Sequence, residues 1–226
     1  MSFPIKYAIK ALVNKIIYHG NRLKRESIKL LDAKETVSYI IEEKPSVSRF
    51  GDGELNMVLK YVGVKSADKS GFQDFNMELG QRLYEILKVG SIDKLNFKVA
   101  LPGCMFGIGT NYLKRPAAVF WEEYSNKYIS KIMQILDSGK LYLETNFSRF
   151  YLSHKDKSGC KEYIETVKNI WKYRDVIIVE GERTCLGVGN DLFDGAKSIK
   201  RVLCPSTNAW DKYDNILSYL TITPPV

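Results

Sequence analysis

The 226-residue sequence predicts an α/β fold: a Rossmann-like, mainly parallel sheet flanked by helices, with an N-terminal helical extension. Three observations lead there. Short apolar segments rich in β-branched residues alternate with longer segments of helical period, which is the pattern of strands joined by helical crossovers. One of these segments, Val176-Ile177-Ile178-Val179, is apolar at every position, as expected of a strand covered on both faces, and is placed at the centre of the sheet. Hydrophobic residues make up 45% and charged residues 27%, a balance that excludes fibrous and disordered classes.

From the N-terminus, apolar residues recur at helical spacing between Phe3 and Leu23 (Ile5, Ala8, Ile9, Leu12, Val13, Ile16, Ile17), with Lys6, Lys10, Lys15, Arg22, Lys24 and Arg25 among them. This is a basic amphipathic helix, read either as a surface helix packed on the core or as a foot on the inner face of a membrane. A second helix is expected from Glu26 to Glu43, ended by Pro45, so that residues 1–45 form the extension and 46–226 the main domain. Ser46–Phe50 reads as a strand, Glu54–Tyr61 and Asn76–Val89 as helices, and Lys65–Gln73 as a loop. Strand 97–101, helix 117–137, strand 140–145, helix 161–173, strand 175–180, a short helix at 191–195 and strand 199–204 follow. The Thr-Pro-rich end, Thr221–Val226, is linker-like.

Several functions fall away. Lysines interrupt the first 18 residues, so no secretory leader is indicated, and no apolar run reaches the roughly 18 residues of a membrane span. Cys104, Cys160, Cys185 and Cys204 lack C-x-x-C spacing and are expected as free thiols in a reducing cytoplasm. A net charge of +8 favours polyanionic partners, but the cations are dispersed and no nucleic-acid-binding motif occurs. Neither a complete G-x-G-x-x-G nor a P-loop is present, and the only histidines, His19 and His154, sit in charged surroundings that give little support to a catalytic dyad.

Sheets of this class bind ligands beyond the carboxyl ends of their strands, which directs attention to four segments. Ser48-Arg49-Phe50-Gly51-Asp52-Gly53-Glu54 puts two carboxylates in a glycine-flanked turn. Asp52 and Glu54 offer hard oxygens suited to Mg²⁺ or Mn²⁺, Gly51 permits close approach of a phosphate, and Arg49 offers a guanidinium fork. Taken alone, the same segment also reads as an ordinary turn with solvated acids. After the apolar strand, Glu182, Arg183, Gly187, Gly189, Asn190 and Asp191 form a glycine-containing stretch before the short helix, whose N-terminus would receive a pyrophosphate. Asn146 and Arg149, within Thr145-Asn146-Phe147-Ser148-Arg149-Phe150-Tyr151, offer amide and guanidinium groups to a sugar or base, while the aromatics read equally as core. Asn208, in Cys204-Pro205-Ser206-Thr207-Asn208-Ala209, reads either as a sugar ligand or as a structural Asx-turn.

Together and in this order, S-R-F-G-D-G-E, T-N-F-S-R-F-Y, L-G-V-G-N-D-L-F and C-P-x-x-N-A resemble the GT-D-type glycosyltransferase family of bacterial adhesin and capsular polysaccharide glycosylation, over about Val47 to Tyr219. The resemblance implies metal-dependent use of UDP-glucose or UDP-galactose, with Asp52 and Glu54 as the D-x-E carboxylates, and transfer to a lipid- or protein-linked glycan acceptor. Glu54, Glu182 and Asp191 are the candidates for the base that takes the acceptor's proton. Two departures stand out: Cys185 replaces an expected arginine, and relatives are expected to continue beyond Val226 into a further strand and a G-H-x-D-like segment. They keep open the alternative of a catalytically inactive assembly partner; a nucleic-acid-binding protein is the more distant alternative.

Overall fold

A computed structural model describes residues 5–67 and 72–222, leaving the start of the first predicted helix, the middle of the 65–73 loop and the last four residues outside. In chain order the elements are α1 (Ile5–Gly20), α2 (Arg22–Glu26), β1 (Lys29–Leu30), α3 (Ala33–Glu43), β2 (Ser46–Arg49), α4 (Asp52–Tyr61) and α5 (Met77–Val89). They continue with β3 (Phe97–Leu101), α6 (Arg115–Met133), β4 (Leu141–Glu144), α7 (Phe150–Ser153), α8 (Cys160–Lys168), β5 (Asp175–Gly181), β6 (Ser198–Cys204) and α9 (Tyr213–Ile222). The chain divides into two compact units, Met1–Gly51 with Leu83–Lys161 and Asp52–Arg82 with Glu162–Val226.

The predicted α/β class with parallel strands and flanking helices is observed, but the strands form two sheets. In the first unit β1, β4, β3 and β2 lie side by side in that order, all parallel. Register pairs Arg49 with Ala100, Ala100 with Leu143, and Leu101 with Glu144, so the carboxyl ends of three strands finish together. The core is built from β3 and β4, whose Val99, Ala100, Leu101, Tyr142 and Leu143 are buried along with Val37 and Phe50. In the second unit β5 pairs in parallel with β6 alone among the described residues, in register from Asp175 opposite Ser198 to Gly181 opposite Cys204.

The expectation that Val176–Val179 lies at the sheet centre is therefore corrected. Ile178 is buried, but Val179 remains 42% exposed. An apolar run reports preference for a pleated, apolar setting, not the number of neighbouring strands.

The helix expected from 26 to 43 is a shorter helix, α3, preceded by the strand β1. Asp32 accepts hydrogen bonds from the backbone N–H groups of Lys34 and Glu35, and the Glu35 carboxylate accepts one from the Asp32 N–H, a complete capping box that starts α3 anew. Lys44 closes the helix in the left-handed conformation just before Pro45. Replacing Asp32 by alanine frees both N–H groups and should cost about 1 kcal/mol, measurable as a lower urea midpoint, whereas Asp32→Asn should lose less.

The first helix is oriented against expectation. Its polar contacts with α6 include Asn14, which donates to the Glu123 carboxylate at 2.9 Å and accepts, through its carbonyl, from Asn126 at 2.7 Å, and Lys10, which pairs with the same Glu123 at 3.3 Å. The Tyr18 hydroxyl donates to the Cys104 carbonyl. Most of the apolar residues that made the helix look amphipathic point the other way, with Leu12 and Ile16 60% and 63% exposed. Hydrogen bonds and the Tyr18 ring hold this helix, rather than its aliphatic stripe.

Candidate active-site residues

In the first unit, the carboxyl edge of the sheet is organised by Glu144, the last residue of β4. Only 2% of it is exposed, and its carboxyl accepts from the Gly103 N–H at 2.7 Å, the Asn146 N–H at 2.9 Å and the Asn146 side-chain amide at 3.1 Å. A side chain at Gly103 would place a Cβ 1.9 Å from a Glu144 carboxyl oxygen, so glycine follows Pro102 because the acid needs that space. Thr145 links the neighbouring strand ends, its hydroxyl lying 3.0 Å and 3.1 Å from the carbonyls of Phe50 and Ala100. Arg49, at the end of β2, donates to the Thr145 carbonyl at 2.9 Å and lies over the Phe147 ring.

Thus Arg49 and Asn146, both predicted, belong to one cluster, and Glu144 is the member that sequence reasoning misses. A glutamate closing an apolar strand reads as a polar terminus; its pairing with a Pro-Gly at the end of another strand becomes visible only when register brings both ends together. Arg149 follows the 3₁₀ turn Thr145–Ser148 and is exposed.

In the second unit, Asp52 and Glu54 occupy the first turn of α4, which begins two residues earlier than expected. Both are exposed, while Leu55 to Leu59 behind them are buried. Acids in a first helical turn are favoured by the partial positive charge there. Positions two apart on a helix leave the axis about 200° from each other, so these carboxylates do not form a closed cage. No cluster of three or more potential metal ligands exists among the described residues. Facing opposite sides of the axis, the two would not both touch one ion; a hydrated Mg²⁺ or Mn²⁺ that keeps most of its water and takes substrate phosphate oxygens would rest on one of them directly.

The stretch after β5 is arranged differently from expectation. Residues 191–195 form turns and no helix, so the N-terminus predicted to receive a pyrophosphate is not formed. Gly187 and Gly189 both have φ of 76°, a conformation that ends any helical continuation. Gly187 also has no room for a Cβ, which would stand 2.4 Å from the Phe193 ring. Asn190 accepts from the Leu192 N–H. Asp191 accepts from Lys168 at 2.7 Å, and that bond holds its carboxyl below the usual carboxylate range, an unfavourable state for a general base.

Glu180, at the end of β5, accepts from Arg201 and from the Leu186 N–H, which ties the base of this loop to β6 and leaves Glu182 and Arg183 exposed. Asn208 is in the left-handed conformation and exchanges hydrogen bonds with Asp74, accepting from its N–H at 2.8 Å and donating to its carboxylate at 3.0 Å. These are long-range ties to Asp74, not the local Asx-turn offered as the structural reading, whose side chain would bond its own backbone two residues on.

With this geometry in place, known proteins supply the family. A model described as glycosyltransferase GT-D fold matches residues 47–223. The chain belongs to that family. It is 33% identical over 84% of its length to the probable glycosyl transferase Gly of Streptococcus gordonii, and 37% identical over 79% to the glycosyltransferase GlyD of Streptococcus pneumoniae. It spans only 26% and 20% of the length of those two relatives. A solved domain of unknown function 1792, described as a distinct glycosyltransferase fold, is similar with a TM-score of 0.80 and 35% identity, over 92% of this chain and 70% of that one. A glycosyltransferase of the same domain type from Streptococcus sanguinis gives 0.77 and 34%, over 86% and 69%.

Burial is the main influence on Glu144 and raises its carboxyl to about 7 from an ordinary 4.5; hydrogen bonds from Asn146 and Gly103 and the Arg49 charge oppose it. Between these pH values the folded chain keeps a proton that the unfolded chain releases. The stability this contributes is fully present below pH 4.5 and is lost as pH rises through 7, on the order of 3 kcal/mol. Glu144→Gln, neutral throughout, should flatten the pH dependence of the denaturation midpoint between pH 4.5 and 8; an unchanged slope would assign it to other groups. Gly103→Ala should destabilise by about 1–3 kcal/mol through overpacking, read in the same denaturation.

Proposed function

We propose that this chain carries the catalytic part of a metal-dependent glycosyltransferase, moving a hexose from UDP-glucose or UDP-galactose to a lipid- or protein-linked glycan acceptor in cell-surface polysaccharide or glycoprotein synthesis. The observation that carries the proposal is the Arg49–Glu54 segment: a guanidinium at a strand's carboxyl end, then Gly51, then two carboxylates in the first turn of the next helix, within a chain of GT-D fold. Family membership and relatives named as glycosyltransferases support the reaction class.

In such a transfer the acceptor hydroxyl oxygen bonds to the anomeric carbon as the bond from that carbon to the diphosphate oxygen breaks. UDP departs with the electron pair, and the hydroxyl proton passes to a base. Arg49 suits the diphosphate through its charge and its planar fork. Asp52 directly, with Glu54 through the ion's bound water, would hold the hydrated Mg²⁺ or Mn²⁺, which when bound supplies positive charge to the leaving group. Because Asp191 is engaged by Lys168 and Glu54 is given to the metal, Glu182 is the remaining candidate for the proton acceptor.

The two helix-turn carboxylates leave the axis in different directions, so their replacements should fail differently. In a UDP-release assay, Asp52→Ala should lower Mn²⁺-dependent turnover by about 100-fold or more and raise the Mn²⁺ concentration required. Glu54→Ala should lower turnover with a smaller change in Mn²⁺ requirement. Unchanged release by both variants would overturn the assignment of this segment. UDP binding by wild type with no release from any UDP-sugar would favour the inactive assembly partner.

A further inference from the structure

The outward face of the N-terminal helices has a composition that the glycosyltransferase reading does not use. Backbone bonds from Asn21 N–H to the Ile17 carbonyl and from Arg25 N–H to the Asn21 carbonyl carry α1 into α2 with little interruption. The inward face is fixed: Tyr18 and Arg25 are buried, and the Arg25 guanidinium stacks 3.5 Å over the Tyr18 ring and donates to the Tyr18 carbonyl.

On the opposite face Ile9, Leu12, Val13, Ile16 and Leu23 fall within about 100° of arc at helical spacing. All are exposed, Leu23 to 84%. Cations line both margins of this stripe. Lys10 and Lys24 lie on one side and Lys15 and Arg22 on the other, with Glu26 the sole acid from residue 5 to residue 26. An apolar stripe between two cationic margins is the surface a helix presents when it lies in a bilayer interface, with lysine and arginine heads reaching the phosphate level. No helix among the described residues is long and apolar enough to cross a membrane.

Beside the stripe, between α1 and α6, opens a pocket of about 470 Å³ to which Leu12 contributes an apolar wall and Lys15, Arg115 and Lys155 contribute charge. The one acid in its lining, Glu122, is buried and accepts from the Thr110 hydroxyl. The pocket therefore offers cations against an apolar wall next to an apolar stripe, the chemistry of an anionic lipid headgroup with the start of its chains. The net charge of +8 acts in the same direction at longer range.

We propose that α1 and α2 lie in the plane of an anionic membrane surface, sinking Ile9, Leu12, Val13, Ile16 and Leu23 among the acyl chains while Lys15, Arg115 and Lys155 take headgroup phosphates. The proposal stands independently of the sugar-transfer chemistry. It is tested by sedimenting the whole 226-residue chain with vesicles of phosphatidylcholine alone or with about 30 mol% phosphatidylglycerol. Binding should be about tenfold or more stronger to the anionic vesicles and fall when salt reaches about 0.5 M.

Leu12→Glu with Ile16→Glu should abolish binding while the far-UV circular dichroism and thermal transition stay unchanged, because both side chains are exposed. Lys15→Glu with Lys155→Glu should weaken binding to anionic vesicles about tenfold and leave the weak binding to phosphatidylcholine in place. No vesicle binding by wild type, equal binding to both compositions, or full binding by the leucine-isoleucine variant would overturn the proposal. A wild-type dimer that the same variant converts to a monomer, with no lipid binding, would overturn it by assigning the stripe to a second copy of the chain.

Discussion

Three strands of the first unit finish at one level, and their ends must be tied down without the next turn of ladder hydrogen bonds. A single buried carboxyl does much of this. Glu144 takes N–H groups from the end of β3 and from the turn after β4, while its own N–H reaches the Thr36 hydroxyl on α3. Removing that acceptor would leave buried donors unpaired, each costing about 1–3 kcal/mol, so the edge holds as a set. Gly103 has no side chain because the acid occupies its space. Arg49 is held against the same edge through the Thr145 carbonyl.

The second unit solves a comparable problem with charged pairs. Arg201 joins Glu180 to the Leu186 carbonyl across the loop after β5, and Lys168 takes up Asp191. Residues that the sequence offers as substrate ligands also have structural contacts: Gly187 makes room for Phe193, and Asn208 binds Asp74. Among the residues presented to solvent there are Glu182 and Arg183. A polar motif in a GT-D-fold chain thus divides into residues that shape a loop and residues that the loop displays.

How much was legible follows from what each signal measures. The D-A-K-E capping box at 32–35 is a local pattern, readable in principle, yet the apolar residues on either side hid it inside one long helical stretch. The all-apolar β5 reported its preference for burial and not its neighbours, so it was placed at the centre of a sheet that β3 and β4 occupy instead. The aliphatic period of the first helix was correctly helical, but period does not say which face meets the protein. Asn14 and Tyr18 decided that through specific hydrogen bonds.

By itself the sequence determined the alternation of strands and helices, the parallel character of the sheets and the GT-D family. These rest on local period and on residues adjacent in the chain. Tertiary structure alone decided that Glu144, Gly103 and Asn146 share one buried acid, that Asp191 belongs to Lys168, and that the N-terminal helices turn their apolar stripe outward. Each of those depends on strand register or helix rotation, which brings together groups far apart in sequence and leaves no periodic trace in it.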